Sequence, residues 1–115
     1  NESIILVGSS YSASLVLLIG KNNDKVKAVA VFSPGEYIKG INIQDSITGY
    51  NKPIFITSSK TETEASKTLI SGIDTVWTNH FQPDFEGIHG SSALWETTEG
   101  NEKYWDAFKT FLTGL

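Results

Sequence analysis

One stretch constrains the fold more than any other: Ile4-Ile5-Leu6-Val7-Gly8-Ser9-Ser10-Tyr11-Ser12-Ala13-Ser14-Leu15-Val16-Leu17-Leu18-Ile19. Its four leading apolar residues are too few for a membrane span and suit a buried strand. A run of small residues and one Tyr follows, and then an apolar run long enough for a buried helix. Strand, tight turn and helix in so short a space is the frame of a nucleophile elbow, in which a Ser is held on a strained turn. The usual pattern is G-x-S-x-G; here it reads Gly8-Ser9-Ser10-Tyr11-Ser12, with Ser at the second Gly position. The constraint is steric. The nucleophile takes an unfavourable backbone angle so that its Oγ points away from the sheet, and the closely packed strand and helix demand small residues on either side. The N–H of Tyr11, at the start of the helix, would point at an oxyanion forming over Ser10. The same residues also fit a Ser-rich linking turn, or one that holds a phosphate at a helix N-terminus.

Composition removes several function classes. The net charge is −4, with nine Lys and no Arg, which argues against nucleic acid as a partner. No Cys is present, so there is no thiolate nucleophile, disulfide framework or Cys-based metal site. His80 and His89 are the only histidines, too few for a His-rich zinc site. No cofactor is expected. No stretch reads as a membrane span, so no membrane partner is expected either. The 115 residues correspond to one small domain or less. A chain that starts at Asn1 and lacks Met reads as a fragment, a processed product or part of something longer.

Beyond the elbow the chain alternates. Gly20 and the turn formers after it stop the first helix. Residues 26–32 are apolar apart from Lys27 and read as a strand buried on both faces, as in a parallel sheet. Ser33-Pro34-Gly35 ends it. Residues 42–47 suit a short helix. A third strand spans residues 53–58, opening on Pro53, where a missing N–H costs little. A helix is expected over residues 63–71, with Ala65, Thr68 and Leu69 on one face and a capping box of Thr61 and Glu64. Residues 73–78 read as a polar edge strand and residues 79–95 as irregular. Residues 101–112 form the clearest helix, with Tyr104, Trp105, Phe108, Phe111, Leu112 and Leu115 recurring at helical spacing as a core face. Such alternation implies βαβ units: an α/β fold, with a parallel sheet of about four strands flanked by helices. Reactive groups on such sheets sit at the carboxyl ends of strands, which selects residues 9–12, 59–62 and 87–90.

A Ser hydroxyl needs a base, and the base needs an orienting carboxylate. The chain offers Ser10, then an acid after a later strand, then a His near the end, the order Ser…acid…His. On these residues the chain resembles the C-terminal half of an α/β-hydrolase, in the dienelactone-hydrolase-like branch of serine esterases. The resemblance rests on Gly8-Ser9-Ser10-Tyr11-Ser12, the strand from Pro53 with its acid loop, and Gly87-Ile88-His89-Gly90. It implies Ser10 as nucleophile, His89 as base and an acid nine residues after Pro53, which is Glu62 where the family usually has Asp. Ser59 stands where the family has Gly. Glu64, Asp84 and Glu86 are other carboxylates of that region, and His80 is the other imidazole. Carboxylates at a helix start also stabilise the dipole whatever the function. Trp95 suits a lid or the core. The implied substrate is a small-molecule ester or related acyl compound. The implied architecture makes residues 1–115 a single partial domain, whose partner is an upstream half, on another chain or as a further segment, that supplies the second oxyanion N–H. The rival readings are a non-catalytic α/β-hydrolase-like binding or interaction module, and a flavodoxin-like phosphate or nucleotide binder using the Ser-rich turn.

Overall fold

A computed structural model describes residues 3–115. It is an α/β fold: four parallel strands, β1 (Ile4–Ser9), β2 (Val26–Phe32), β3 (Ile54–Thr57) and β4 (Thr78–Phe81), hydrogen-bonded in the order β1-β2-β3-β4. The crossovers carry α1 (Tyr11–Asn22), α2 (Ile43–Ser46) and α3 (Thr63–Leu69), and α4 (Asn101–Thr113) closes the chain. Each crossover steps one strand in the same direction. Connections of one hand then fall on one face, so α1, α2 and α3 share it.

Alternation along the strands divides the core in two. Val29 and Val31 of β2 and Ile54 and Ile56 of β3 meet Leu17, Ile43, Ile47 and Leu69 beneath the crossovers. Ala28, Ala30, Phe32 and Phe55 face the opposite way, onto Phe108 and Phe111 of α4. The Phe32 and Phe108 rings meet edge to face, with centroids 5.6 Å apart. The small Ala28 and Ala30 admit those rings, and burying each Phe contributes about 1.5–3 kcal/mol.

Several expectations from sequence change. The apolar run at residues 4–7 is the sheet edge, not a buried strand: Ile5 and Val7 are 40% and 53% exposed, because α4 covers β2 and β3 and leaves β1 bare. The fourth strand is not residues 73–78. Asp74 accepts hydrogen bonds from Val76 N–H and Trp77 N–H, and this local turn displaces extended pairing. The strand begins at Thr78, so residues 78–81, read as mostly irregular, pair in register with β3. The buried residues of α3 are Ser66 and Leu69, while Ala65 and Thr68 point outward. In α4 the core stripe narrows to Tyr104, Phe108 and Phe111. Trp105 and Leu112 are exposed, and the Trp105 indole donates to Leu94 O at 2.8 Å.

Candidate active site

The chain turns from β1 into α1 at Ser10, whose backbone stands at φ 57, ψ −118. A non-Gly residue there is strained. Strand and helix approach so closely that a Cβ on Gly8 would lie 2.6 Å from Ser12 O and 2.8 Å from Ala13 Cα, so only glycine fits. The second small position carries a hydroxyl that has its own use. Ser12 Oγ accepts from Ser9 N–H at 2.8 Å and donates to Ser9 O at 2.9 Å. Ser9 faces the open edge of the sheet, and the hydroxyl satisfies backbone groups that have no strand beside them.

The loops after β1, β3 and β4 converge. His89 Nε2 lies 2.8 Å from Ser10 Oγ, and His89 Nδ1 lies 2.5 Å from Glu62 Oε2. An ionised carboxylate only accepts, so Nδ1 carries the proton and Nε2 is left to accept from the Ser10 hydroxyl. Residues 79 positions apart in the chain are thereby linked through one imidazole.

Glu62 has two duties. The chain leaves β3 into a 3-10 turn over Lys60–Glu62, capped by Ser59. Glu62 Oε1 accepts from Ser59 N–H at 3.1 Å and from the Ser59 hydroxyl at 2.9 Å. The capping box is therefore Ser59 with Glu62, not Thr61 with Glu64, because the helical turn starts immediately after Ser59. Capping pins one carboxylate oxygen and presents the other to His89. Partial burial works to raise the Glu62 pKa. Hydrogen bonds from His89, the Ser59 backbone, Ser33 and the Ser59 hydroxyl outweigh it and hold the carboxyl below its ordinary value.

The other titratable candidates stand apart. Glu64 is solvated and pairs with Lys67 at 3.4 Å. Asp84 is exposed and lies 3.9 Å from Lys103. Glu86 is exposed, and its carbonyl accepts from Lys60 N–H. His80 sits in β4 opposite Ile56, where burial and the charge of Lys67 lower its pKa. Trp95 is 61% exposed, which excludes it from the core; with Ile88 it lines a hollow beside the His89 loop.

Three serines outside the expected trio hold the loops in register. The Ser33 hydroxyl, buried at the end of β2, donates to Glu62 Oε1 at 2.9 Å and accepts from Gly90 N–H at 2.8 Å. Ser9 Oγ accepts from Ser91 N–H at 2.8 Å, and Ser59 caps Glu62 as described. The strand-end rule selected the stretches that hold Ser9 and Ser59 but not the loop after β2 that holds Ser33, although Ser33 also follows the carboxyl end of its strand. Nothing in their residue type distinguishes them from the other serines.

Tyr11 is the first residue of α1, and its N–H has no acceptor within the helix. Among the described residues, no group of three or more His, Asp or Glu is placed to hold a metal. No described helix is long and apolar enough to cross a membrane. Together the strained Ser, the imidazole and the pinned carboxylate can transfer a proton from alcohol to base while a charge pair forms. No protein-family model, curated protein or solved structure matches this chain.

Proposed function

We propose that this protein is a serine hydrolase of the α/β-hydrolase type, in the dienelactone-hydrolase-like branch, cleaving a carboxylic ester or related acyl bond. The observation that carries the reading is the unbroken relay from Ser10 Oγ through His89 to Glu62, at 2.8 and 2.5 Å. Ser10 Oγ attacks the acyl carbon and forms a C–O bond, its proton passes to His89 Nε2, and the carbonyl π pair moves to oxygen. The Tyr11 N–H and the α1 N-terminus stabilise that oxyanion. Collapse breaks the bond to the alcohol, which leaves with the proton from His89. Water then attacks the acyl-enzyme by the same route, releasing the acid and restoring Ser10. Glu62 keeps the imidazole oriented and stabilises its protonated form.

The working sheet in this reading extends past β1 with strands from an upstream half. Ile4 N–H donates to Lys25 O and Ser10 N–H to Phe32 O, so the alternate residues Ile5 and Val7 turn their backbone groups to the open edge. Their apolar side chains are exposed there, and Leu15 and Ile19 add apolar surface on α1. An uncovered apolar edge is a template for another strand.

The test is turnover of p-nitrophenyl acetate together with labelling by a fluorophosphonate probe. Labelling at Ser10 is expected, and Ser10→Ala is expected to lower kcat by at least roughly a thousandfold. Undiminished turnover in Ser10→Ala overturns the reading.

A further inference from the structure

The loop after β2 brings a second hydroxyl to Ser10. Ser33 leaves the strand at φ 57, and Gly35 is clamped to α1 from both sides: the buried Ser14 hydroxyl donates to Gly35 O at 2.6 Å and accepts from Gly35 N–H at 3.1 Å. Glu36, next in the chain, accepts from Ile43 N–H at 2.6 Å and Gln44 N–H at 3.0 Å, tying the loop to the start of α2. Tyr37 lies over this clamped segment. A Cβ added to Gly35 would stand 2.8 Å from Tyr37 Cζ, so the ring rests on the glycine backbone. The Tyr37 hydroxyl donates to Ser33 O at 3.3 Å, one residue past Phe32, whose carbonyl accepts from Ser10 N–H at 2.8 Å. Tyr37 remains 43% exposed, open to a bound substrate.

We propose that Tyr37 is a catalytic hydrogen-bond donor: its hydroxyl leaves the Ser33 carbonyl and donates to oxygen charge that develops on an acyl group joined to Ser10. The inference rests on the hydrolase reading. A neutral link of 3.3 Å is at the weak end of hydrogen bonding, so exchanging it for a charged acceptor is favourable. The loop is anchored at Ser14 and Glu36, so the phenol is positioned before substrate arrives. Burial, and then the nearby Glu62 charge, raise the phenol pKa, which keeps the proton available to donate. Within this chain, Tyr37 supplies a donor to set beside the Tyr11 N–H.

Tyr37→Phe keeps the ring on Gly35 and removes only the hydroxyl. In the complete protein, with p-nitrophenyl acetate, it is expected to lower kcat roughly 10- to 100-fold with KM within about twofold, the pattern of an interaction made in the transition state. The melting temperature is expected to stay at the wild-type value. An unchanged kcat, or a raised KM with a lowered melting temperature, overturns the role of Tyr37 and leaves the hydrolase reading standing, provided turnover still depends on Ser10. Absence of both Ser10-dependent turnover and fluorophosphonate labelling in the wild type overturns the reading and the inference together.

Discussion

The Ser33 hydroxyl donates to Glu62 Oε1 at 2.9 Å, joining the end of β2 to the acid loop after β3. Ser33 Oγ in turn accepts from Gly90 N–H at 2.8 Å, beside His89. One buried hydroxyl thus sets the spacing between the loop that carries the acid and the loop that carries the imidazole. It does so from a backbone at φ 57, where a side chain is strained. The strained position places the hydroxyl between two partners that lie on different loops.

Ser33→Ala removes both bonds and leaves the buried Gly90 N–H without its acceptor. An unsatisfied buried donor costs about 1–3 kcal/mol. A drop of several degrees in melting temperature is expected, along with a fall in ester turnover of about tenfold as His89 and Glu62 lose their common anchor. Differential scanning calorimetry and steady-state kinetics on the one variant check both.

Ser10→Gly separates strain from chemistry. Glycine takes the φ 57, ψ −118 conformation freely. Relief of the side-chain strain is expected to stabilise the fold by about 1 kcal/mol, a rise of roughly 4–8 °C for a domain of this size. Turnover is lost with the hydroxyl. Glycine also costs about 0.5–1 kcal/mol in chain entropy, so a fall in melting temperature that matches this whole cost would show that the elbow stores no strain.

Glu62 links stability to pH. Its folded pKa lies below its ordinary value of 4.5. Between the folded and unfolded values the unfolded chain binds the extra proton, so stability rises with pH there. The contribution of Glu62 is complete above about pH 4.5 and is lost as pH falls through the depressed folded value. Thermal melts of wild type and Glu62→Gln are expected to differ at pH 7 and to converge as the pH falls below the depressed folded value of Glu62. Equal melts at both pH values would mean that the carboxylate contributes nothing through its charge.

Lysine at both Ile5 and Val7 puts charge on the open edge of β1, a device that blocks strand addition. Both side chains are already exposed, so the melting temperature of the 115-residue chain is expected to hold. On the proposal that strands of an upstream half dock there, turnover is expected to fall at least about tenfold. Unchanged turnover and unchanged sedimentation would show that nothing docks on this edge.

The sequence by itself determined the alternation of strands and helices, the parallel sheet of four strands and the glycine beneath the elbow, while the family resemblance put Ser10, Glu62 and His89 forward. Those features are local. Apolar period, turn chemistry and the lack of room for a Cβ at Gly8 act over a few residues and are written in residue order. What only the tertiary structure decided is which groups meet. Trading residues 73–78 for Thr78–Phe81 in the last strand depended on an Asp74 turn competing with the ladder. The exposure of Ile5 and Val7 depended on where α4 lies. The duties of Ser33, Ser59 and Tyr37 depended on loops that approach only once the sheet has formed. A serine carries no mark of its partner, because a hydroxyl bonds whatever donor or acceptor the fold brings within 3 Å or so.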